Sequence, residues 1–335
     1  MKVAIISITK KGFELSCQIK DSLDKDSTVI KTDLFYKSVK KNMKIAFYEY
    51  DHIIAIMASG IVIRLICGLI SSKLNDPSVI NIDETGEYVI SLLSGHIGGG
   101  NEFTYRVSNI INAKPVITTA TDVNNKLAID NIAAKFYFKI INPEEIVFFN
   151  KALLNNEKIE LLFNENTNLK YLINYIQNNT LEMYLIKYNN NILKNEFIAK
   201  IDNHELTLKE RTLVLGIGCR KGKSSIEVLN GLREVLNDLK LPVERINCIS
   251  SGEMKKNEKG IIELSNKLNI PFKTVSIEKL KLFKSNDCSK SEFVKSNFGI
   301  DGVCEQSALI VAGYDSKLIY KKSVFDGVTI ALAIN

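Results

Sequence analysis

Apolar positions along the first 120 residues follow two alternating patterns. Residues 3–8 form a short apolar run interrupted only by Ser7, as expected of a strand buried on both faces, and residues 13–23 repeat their apolar positions at helical spacing. The pair recurs with a strand over 52–57 and a helix from about 60 to 69. Strands over 79–82 and 88–92 flank Asp83-Glu84-Thr85-Gly86, which has hairpin-turn chemistry. A helix over 102–111 and a strand over 116–119 follow. From 134 to 210 glycine is scarce, Asn, Lys and Tyr are abundant, and the apolar segments at 159–163 and 183–186 are short. The polar run 200–211 reads as a boundary, after which residues 213–224 open a new strand-to-helix unit. Its helix spans 225–239, with strands over 245–249, 272–275, 318–320 and 328–333. The pattern predicts an α/β protein: an N-terminal open α/β sheet domain over 1–133, a small α+β middle region over 134–210 and a C-terminal α/β domain over 211–335. Ligands of open sheets gather at the carboxyl ends of strands, where Ser59-Gly60 and Ser94-Gly95-His96 both fall.

Composition narrows the class. With 335 residues, 45% apolar and 24% charged, the chain has the make-up of a soluble globular protein. The net charge of +6 comes mainly from scattered lysine, with arginine only at Arg64, Arg106, Arg211, Arg220, Arg233 and Arg245. Such scatter describes a solvated surface and gives no nucleic-acid signature, while a substrate rich in carboxylates is compatible with it. Cys17, Cys67, Cys219, Cys248, Cys288 and Cys304 are widely spaced and form no C-x-x-C pair. They read as free thiols of a reducing cytoplasm, with no protein metal site and no disulfide framework. The first residues go straight into a strand-like run and lack a signal-peptide pattern. Residues 53–70 are apolar, but Ser59-Gly60 interrupts them and Arg64 lies inside, so a strand, a turn and a helix are expected there, with no membrane span.

Chemistry concentrates in two glycine segments. Leu92-Leu93-Ser94-Gly95-His96-Ile97-Gly98-Gly99-Gly100-Asn101-Glu102 places one of three histidines between glycines, before a helix. Backbone amides in such a run can approach a ligand closely, and His96 suits general acid–base work. The same residues would also make a tight strand-to-helix turn with an incidental histidine. In the second segment, Gly216-Ile217-Gly218-Cys219-Arg220-Lys221-Gly222-Lys223-Ser224, three residues separate Gly218 from Gly222-Lys223-Ser224, where a P-loop needs four. Gly222 also lies four positions after Gly218, where a dinucleotide fingerprint needs three. What remains is an anion-accepting turn with Arg220 and Lys223 as carboxylate partners, or a turn with solvated basic residues. Asp83 and Glu84 read as turn formers.

Several blocks, taken in order, carry a family resemblance. Ile56-Met57-Ala58-Ser59-Gly60-Ile61-Val62-Ile63-Arg64, Ser91-Leu92-Leu93-Ser94-Gly95-His96-Ile97-Gly98-Gly99 and Pro115-Val116-Ile117-Thr118-Thr119-Ala120-Thr121-Asp122 resemble the cobalamin-biosynthesis family CbiG. Gly216-Ile217-Gly218-Cys219-Arg220, Gly302-Val303-Cys304-Glu305-Gln306-Ser307-Ala308-Leu309 and Gly327-Val328-Thr329-Ile330-Ala331 resemble the CbiG/CobE C-terminal domain. Ser250-Ser251-Gly252-Glu253-Met254-Lys255-Lys256-Asn257-Glu258 departs from the family's usual Ser-Ile-Asp-Leu-Lys-x-x-Glu, and leaves Lys256 or Glu258 as candidates to line a site.

The resemblance implies a hydrolase that opens the δ-lactone of cobalt-precorrin-5A and releases acetaldehyde in anaerobic cobalamin biosynthesis. Cobalt then arrives in the substrate and the protein binds no cofactor of its own. Partners are that substrate and other enzymes of the pathway. Attack of water on a lactone carbonyl needs a base and donors to the oxyanion. Neutral His96 is the candidate base, which predicts a rate that falls as pH drops through its pKa. Glu102 would orient it, and amides around Gly98, Gly99 and Gly100 would be the oxyanion donors. Ser94 is a weaker nucleophile candidate, because the G-x-S-x-G pattern is missing. Ser59, Gly60, Arg64, Arg106, Gly218, Arg220, Lys223 and Glu305 are the further candidates for binding the substrate and its acetate and propionate arms. Two other classes stay open: a noncatalytic carrier of corrinoid intermediates, and a nucleotide-dependent oxidoreductase using the second glycine turn.

Overall fold

The computed structural model describes residues 1–179 and 183–335, and among these the chain forms three sheets with helices packed on them. In the first, β1 (Lys2–Ser7) leads to α1 (Lys10–Leu23), β2 (Lys31–Tyr36) to α2 (Val39–Glu49), and β3 (His52–Ile56) to α3 (Ser59–Ile66). Then β4 (Ser78–Ile82) turns back into β5 (Tyr88–Leu93), and α4 (Gly100–Ile111) returns the chain to β6 (Lys114–Val116). The order is β2-β1-β3-β4-β5-β6. Every residue of β3 is buried, and Val3 to Ile6 of β1 are fully so. Both strands have parallel neighbours and are covered on both faces, which is why Val3 to Ile6 and Ile53 to Ile56 are continuously apolar. Met43 and Phe47 of α2 and Val62 and Ile66 of α3 close one face over Ile6 and Ile53. The strand expected over 116–119 ends early, at Val116, where its register with Ile90 of β5 stops.

The direction of β5 corrects one expectation. It runs antiparallel to β4, with Val89 opposite Ile82 and Leu93 opposite Val79, whereas β3 and β4 are parallel with Ile56 opposite Ile82. The carboxyl end of β5 therefore lies beside the amino ends of β3 and β4. Ser59-Gly60 and Ser94-Gly95-His96 each follow a strand, yet they stand at opposite edges of the sheet.

Helices α5 (Ala120–Val123) and α6 (Ile129–Phe136) lead into the second sheet: β7 (Phe138–Ile140), α7 (Ile146–Leu154), β8 (Ile159–Phe163), α8 (Lys170–Asn179), β9 (Tyr184–Tyr188), β10 (Glu196–Ile201) and β11 (His204–Glu210). Its order is β7-β11-β10-β8-β9, so the run 200–211 holds an interior strand. Leu206 and Leu208 alternate into the core, and Glu210 accepts a 2.6 Å hydrogen bond from the buried Tyr171 hydroxyl. A fragment ending at residue 200 should thus fail to melt cooperatively, whereas one ending at 210 should do so. Each buried leucine is worth roughly 1.5–3 kcal/mol, and domains hold only about 5–15 in total. Thermal unfolding followed by circular dichroism separates the two, and equal cooperativity would refute the assignment of β11 as integral.

The third sheet comprises β12 (Leu213–Cys219), α9 (Ser225–Leu239), β13 (Cys248–Gly252), α10 (Lys259–Leu268), β14 (Phe272–Val275), α11 (Ile277–Leu282), α12 (Glu292–Phe298), α13 (Cys304–Ala312), β15 (Lys317–Phe325) and β16 (Val328–Ile334), ordered β14-β13-β12-β16-β15. Ser224 and Glu227 start α9 with a reciprocal capping box. The strand expected from 245 begins only at Cys248. Arg245 is fully buried before it, donating to Asn247 Oδ1 and the Arg211 carbonyl, each at 2.8 Å.

Packing divides the chain into two units. One holds Lys2–Leu23 and Thr32–Glu210, with the first two sheets, and the other holds Arg211–Asn335 together with Met1 and Asp24–Lys31. Within the latter, Ser27 accepts from the Lys321 amide at 2.8 Å, and Ile30 packs against Val214, Ala308 and Leu318. All six cysteines are free. Among the described residues, no helix is long and apolar enough to cross a membrane.

Candidate active site

The loop between β5 and α4 is shaped by its own backbone. The Gly99 amide donates to the His96 carbonyl at 2.8 Å, Gly100 to Ser94 at 3.1 Å, and Asn101 to Gly95 at 2.9 Å. Gly99 has φ +72°, and a Cβ on Gly98 would lie 2.5 Å from Ser94 Cβ, so these two positions require glycine for conformation and space. The amides of Gly99 and Gly100, expected to receive an oxyanion, are spent on closing the turn. That of Gly98 makes no hydrogen bond among the described residues.

This turn places His96 between two aspartates. Nδ1 lies 3.0 Å from Asp130 Oδ2 on α6, and Nε2 lies 2.7 Å from Asp122 Oδ2 on α5 and 3.1 Å from Thr121 Oγ1. The His96 and Asp130 side chains are 9% and 4% exposed and Asp122 is 29% exposed, so one carboxylate is enclosed and the other reaches solvent. Asn101 donates to Asp122 Oδ2 at 2.9 Å and to Thr119 Oγ1 at 3.0 Å. The Asn150 amide on α7 stands 3.4 Å from both Asp130 oxygens. Burial disfavours the imidazolium, but the hydrogen bonds and charges of Asp130 and then Asp122 outweigh it and raise the His96 pKa above its ordinary 6.5. With both nitrogens facing carboxylates, these contacts favour the imidazolium over the neutral base expected from the sequence.

Beside the ring is a cavity of about 330 Å³, with Ile97, Ala120 and Leu154 on its apolar walls, Ser94, Thr121 and Asn150 among its polar groups, and Lys73. Ser94 Oγ and Asn150 Oδ1 are enclosed and have no hydrogen-bond partner among the described residues. Both are available to a bound molecule. Among the described residues, no three His, Cys, Asp or Glu side chains converge in a way that could hold a metal ion.

Other expected site residues are elsewhere. Glu102 is exposed on α4 and is not a partner of His96. Ser94 lines the cavity, but His96 turns its nitrogens to the aspartates, so no base activates the hydroxyl. Ser59 bonds Asn81 at 2.5 Å, and Arg64 donates back to the Gly60 carbonyl at 3.0 Å, at the far sheet edge. Arg106 is half-buried on α4 and does not line the cavity.

In the C-terminal unit the glycines Gly216 and Gly218 of the second segment serve close packing. A Cβ on Gly216 would come within 2.1 Å of the Cys304 carbonyl, and one on Gly218 within 2.5 Å of Thr329 Oγ1, so both admit close packing. Lys223 is paired with Glu227 at 2.7 Å and Asp326 at 3.1 Å, and the Arg220 stem lies over Gly327. Glu305, 2% exposed, accepts from the Ser289 amide and hydroxyl and the Lys322 amide, which ties loops together. Glu258 accepts from the Gly222 amide and pairs with Lys255 at 2.9 Å. These contacts leave Lys223 neutralised and give Glu305 and Glu258 scaffold roles.

The sequence reading missed Asp122, Asp130, Asn150 and Lys73. Asp122 closes a block already singled out, but nothing local marks Asp130, 34 residues from His96.

Comparison with known proteins agrees with the order of the blocks. The family model for the cobalamin synthesis G N-terminal region matches residues 41–122, and that for the cobalamin synthesis G C-terminus matches residues 213–333. Asp130 and Asn150 lie between the two. A protein of Methanocaldococcus jannaschii named "Probable cobalt-precorrin-5A hydrolase" is 33% identical over 99% of both chains. The cobalt-precorrin-5A hydrolase of Priestia megaterium is 28% identical over 99% of this chain and 94% of its own. The crystal structure of a Sulfolobus solfataricus homologue of cobalamin biosynthesis protein G aligns with TM-score 0.62 and 30% identity, covering 99% of this chain and 97% of that one. The chain thus belongs to the cobalamin synthesis G family.

Proposed function

We propose that the chain hydrolyses cobalt-precorrin-5A, opening its δ-lactone with release of acetaldehyde, and that the reaction takes place at Asp130, His96 and Asp122. Full-length likeness to relatives bearing that activity in their names supports the substrate. The single observation that carries the site is His96 held between two carboxylates, with His96 and Asp130 lining a cavity.

Each group then has a distinct role. Asp122 is the more exposed carboxylate and its Oδ1 makes no hydrogen bond among the described residues, so it takes the proton from the attacking water. The His96 imidazolium sets a positive charge against the developing oxyanion and gives its proton to the departing lactone oxygen. The resulting imidazole then takes the proton back from that hydroxyl as its C–O bond becomes the aldehyde C=O and the adjoining C–C bond breaks. The protonated Asp122 returns its proton to the macrocycle carbon left behind, which releases acetaldehyde and resets both groups. Asp130 is a positioning residue that fixes the ring through Nδ1. The Ser94 hydroxyl, which lines the cavity, supplies a neutral donor to the carbonyl oxygen, in place of the amides the loop consumes. A cavity of about 330 Å³ is at the small end of ligand pockets, so it takes the lactone-bearing edge and leaves most of the macrocycle outside. Cobalt enters with the substrate. Free cysteines suit a reducing cytoplasm.

The test is incubation of the purified protein with cobalt-precorrin-5A and a coupled aldehyde assay. Acetaldehyde should form in step with loss of the lactone. Tight binding of the intermediate with no acetaldehyde would instead identify a carrier.

A further inference from the structure

We propose that Lys73 is the counter-ion for a carboxylate on the substrate edge that enters the His96 cavity, a role that rests on the hydrolase reading above. Two carboxylates and one imidazolium leave the reacting trio with one net negative charge, which repels an acidic ligand. Apart from His96, Lys73 is the only cation among the described residues lining that cavity. It is exposed, and among the described residues it makes no ion pair.

The loop carrying Lys73 is built to hold still. Asp76, 6% exposed, accepts from the Ser71 amide at 3.0 Å, the Ser71 hydroxyl at 2.8 Å and the Ser72 amide at 3.0 Å. Its own amide donates to the Ser72 carbonyl at 2.8 Å. The nearby carboxylate is thus committed to the backbone, and the lysine is left to a ligand. The loop runs into β4, whose first residue, Ser78, lies under Gly100 of the histidine turn, so Lys73 and His96 share one sheet edge. Ser94 Oγ and Asn150 Oδ1, enclosed and unpartnered on the same cavity, are independent signs that a polar group is received there.

Steady-state acetaldehyde release by the full-length protein tests this. Lys73→Met should raise KM about 10–100-fold, the loss of a charge-assisted hydrogen bond, with kcat within about two-fold. Lys73→Arg should restore KM to within a few-fold. Wild-type KM should rise with salt and that of Lys73→Met much less, because screening acts on the missing pair. A wild-type KM in Lys73→Met, or a fall in kcat that Lys73→Arg does not rescue, overturns the proposal while leaving the hydrolase reading intact. Absence of acetaldehyde from the wild type overturns both.

Discussion

His96→Ala is expected to lower acetaldehyde release by about 10²–10⁴-fold, the usual cost of losing a group that moves a proton in the transition state. The same substitution should also weaken the fold. Asp130, with 4% of its side chain exposed, would keep only the Asn150 amide at 3.4 Å and would face Asp122 without the intervening cation. Removing one partner of a buried pair costs about 3–5 kcal/mol. Stability and chemistry can be separated, since His96→Ala with Asp130→Asn removes the stranded charge and should recover most of the urea midpoint with none of the rate. Wild-type turnover in a folded His96→Ala protein would take the histidine out of the mechanism.

Asp122→Asn is expected to reduce turnover by a similar factor, about 10²–10⁴-fold, for a different reason. An amide of nearly the same shape keeps the contact with His96 but cannot accept a proton from water. Because Asp122 is 29% exposed, its replacement should leave the melting temperature within a few degrees of wild type. Single-turnover mixing at saturating substrate isolates the chemical step. An unchanged rate there would move the base to another group.

The sheets were legible because burial left direct marks in the sequence. The apolar runs Val3 to Ile6 of β1 and Ile53 to Ile56 of β3 report two covered faces, and the Ser224–Glu227 spacing marks the start of α9. By contrast β2 and α2 were missed, since α2 is rich in lysine and shows only Met43, Ala46 and Phe47 as its buried stripe. The hairpin chemistry at 83–86 already implied that β5 runs backwards. Taken one step further, it would have put Ser59, Gly60 and Arg64 at the other edge from His96.

The site was legible only in part. Glycines around His96 marked the turn, but their job is steric, and the amides they free are mostly used within it. The aspartates that set the charge state of His96 come from α5 and α6, and α6 reaches the ring through packing that no local pattern encodes. Similarly, the partner of Lys223 at i+4 could be read from helical spacing, whereas Asp326 could not.

The central claim is that His96 works as an imidazolium between two carboxylates, and the pH–rate profile of the wild type beside Asp130→Asn tests it most directly. A group whose pKa is raised keeps its proton above its ordinary 6.5, so turnover should persist beyond that value and be lost as pH rises through the raised one. Asp130→Asn removes the foremost contact that raises it and should move this alkaline limb to lower pH. A rate that instead climbs as His96 loses its proton, with a limb unmoved by Asp130→Asn, would contradict the account and return His96 to the role of neutral base.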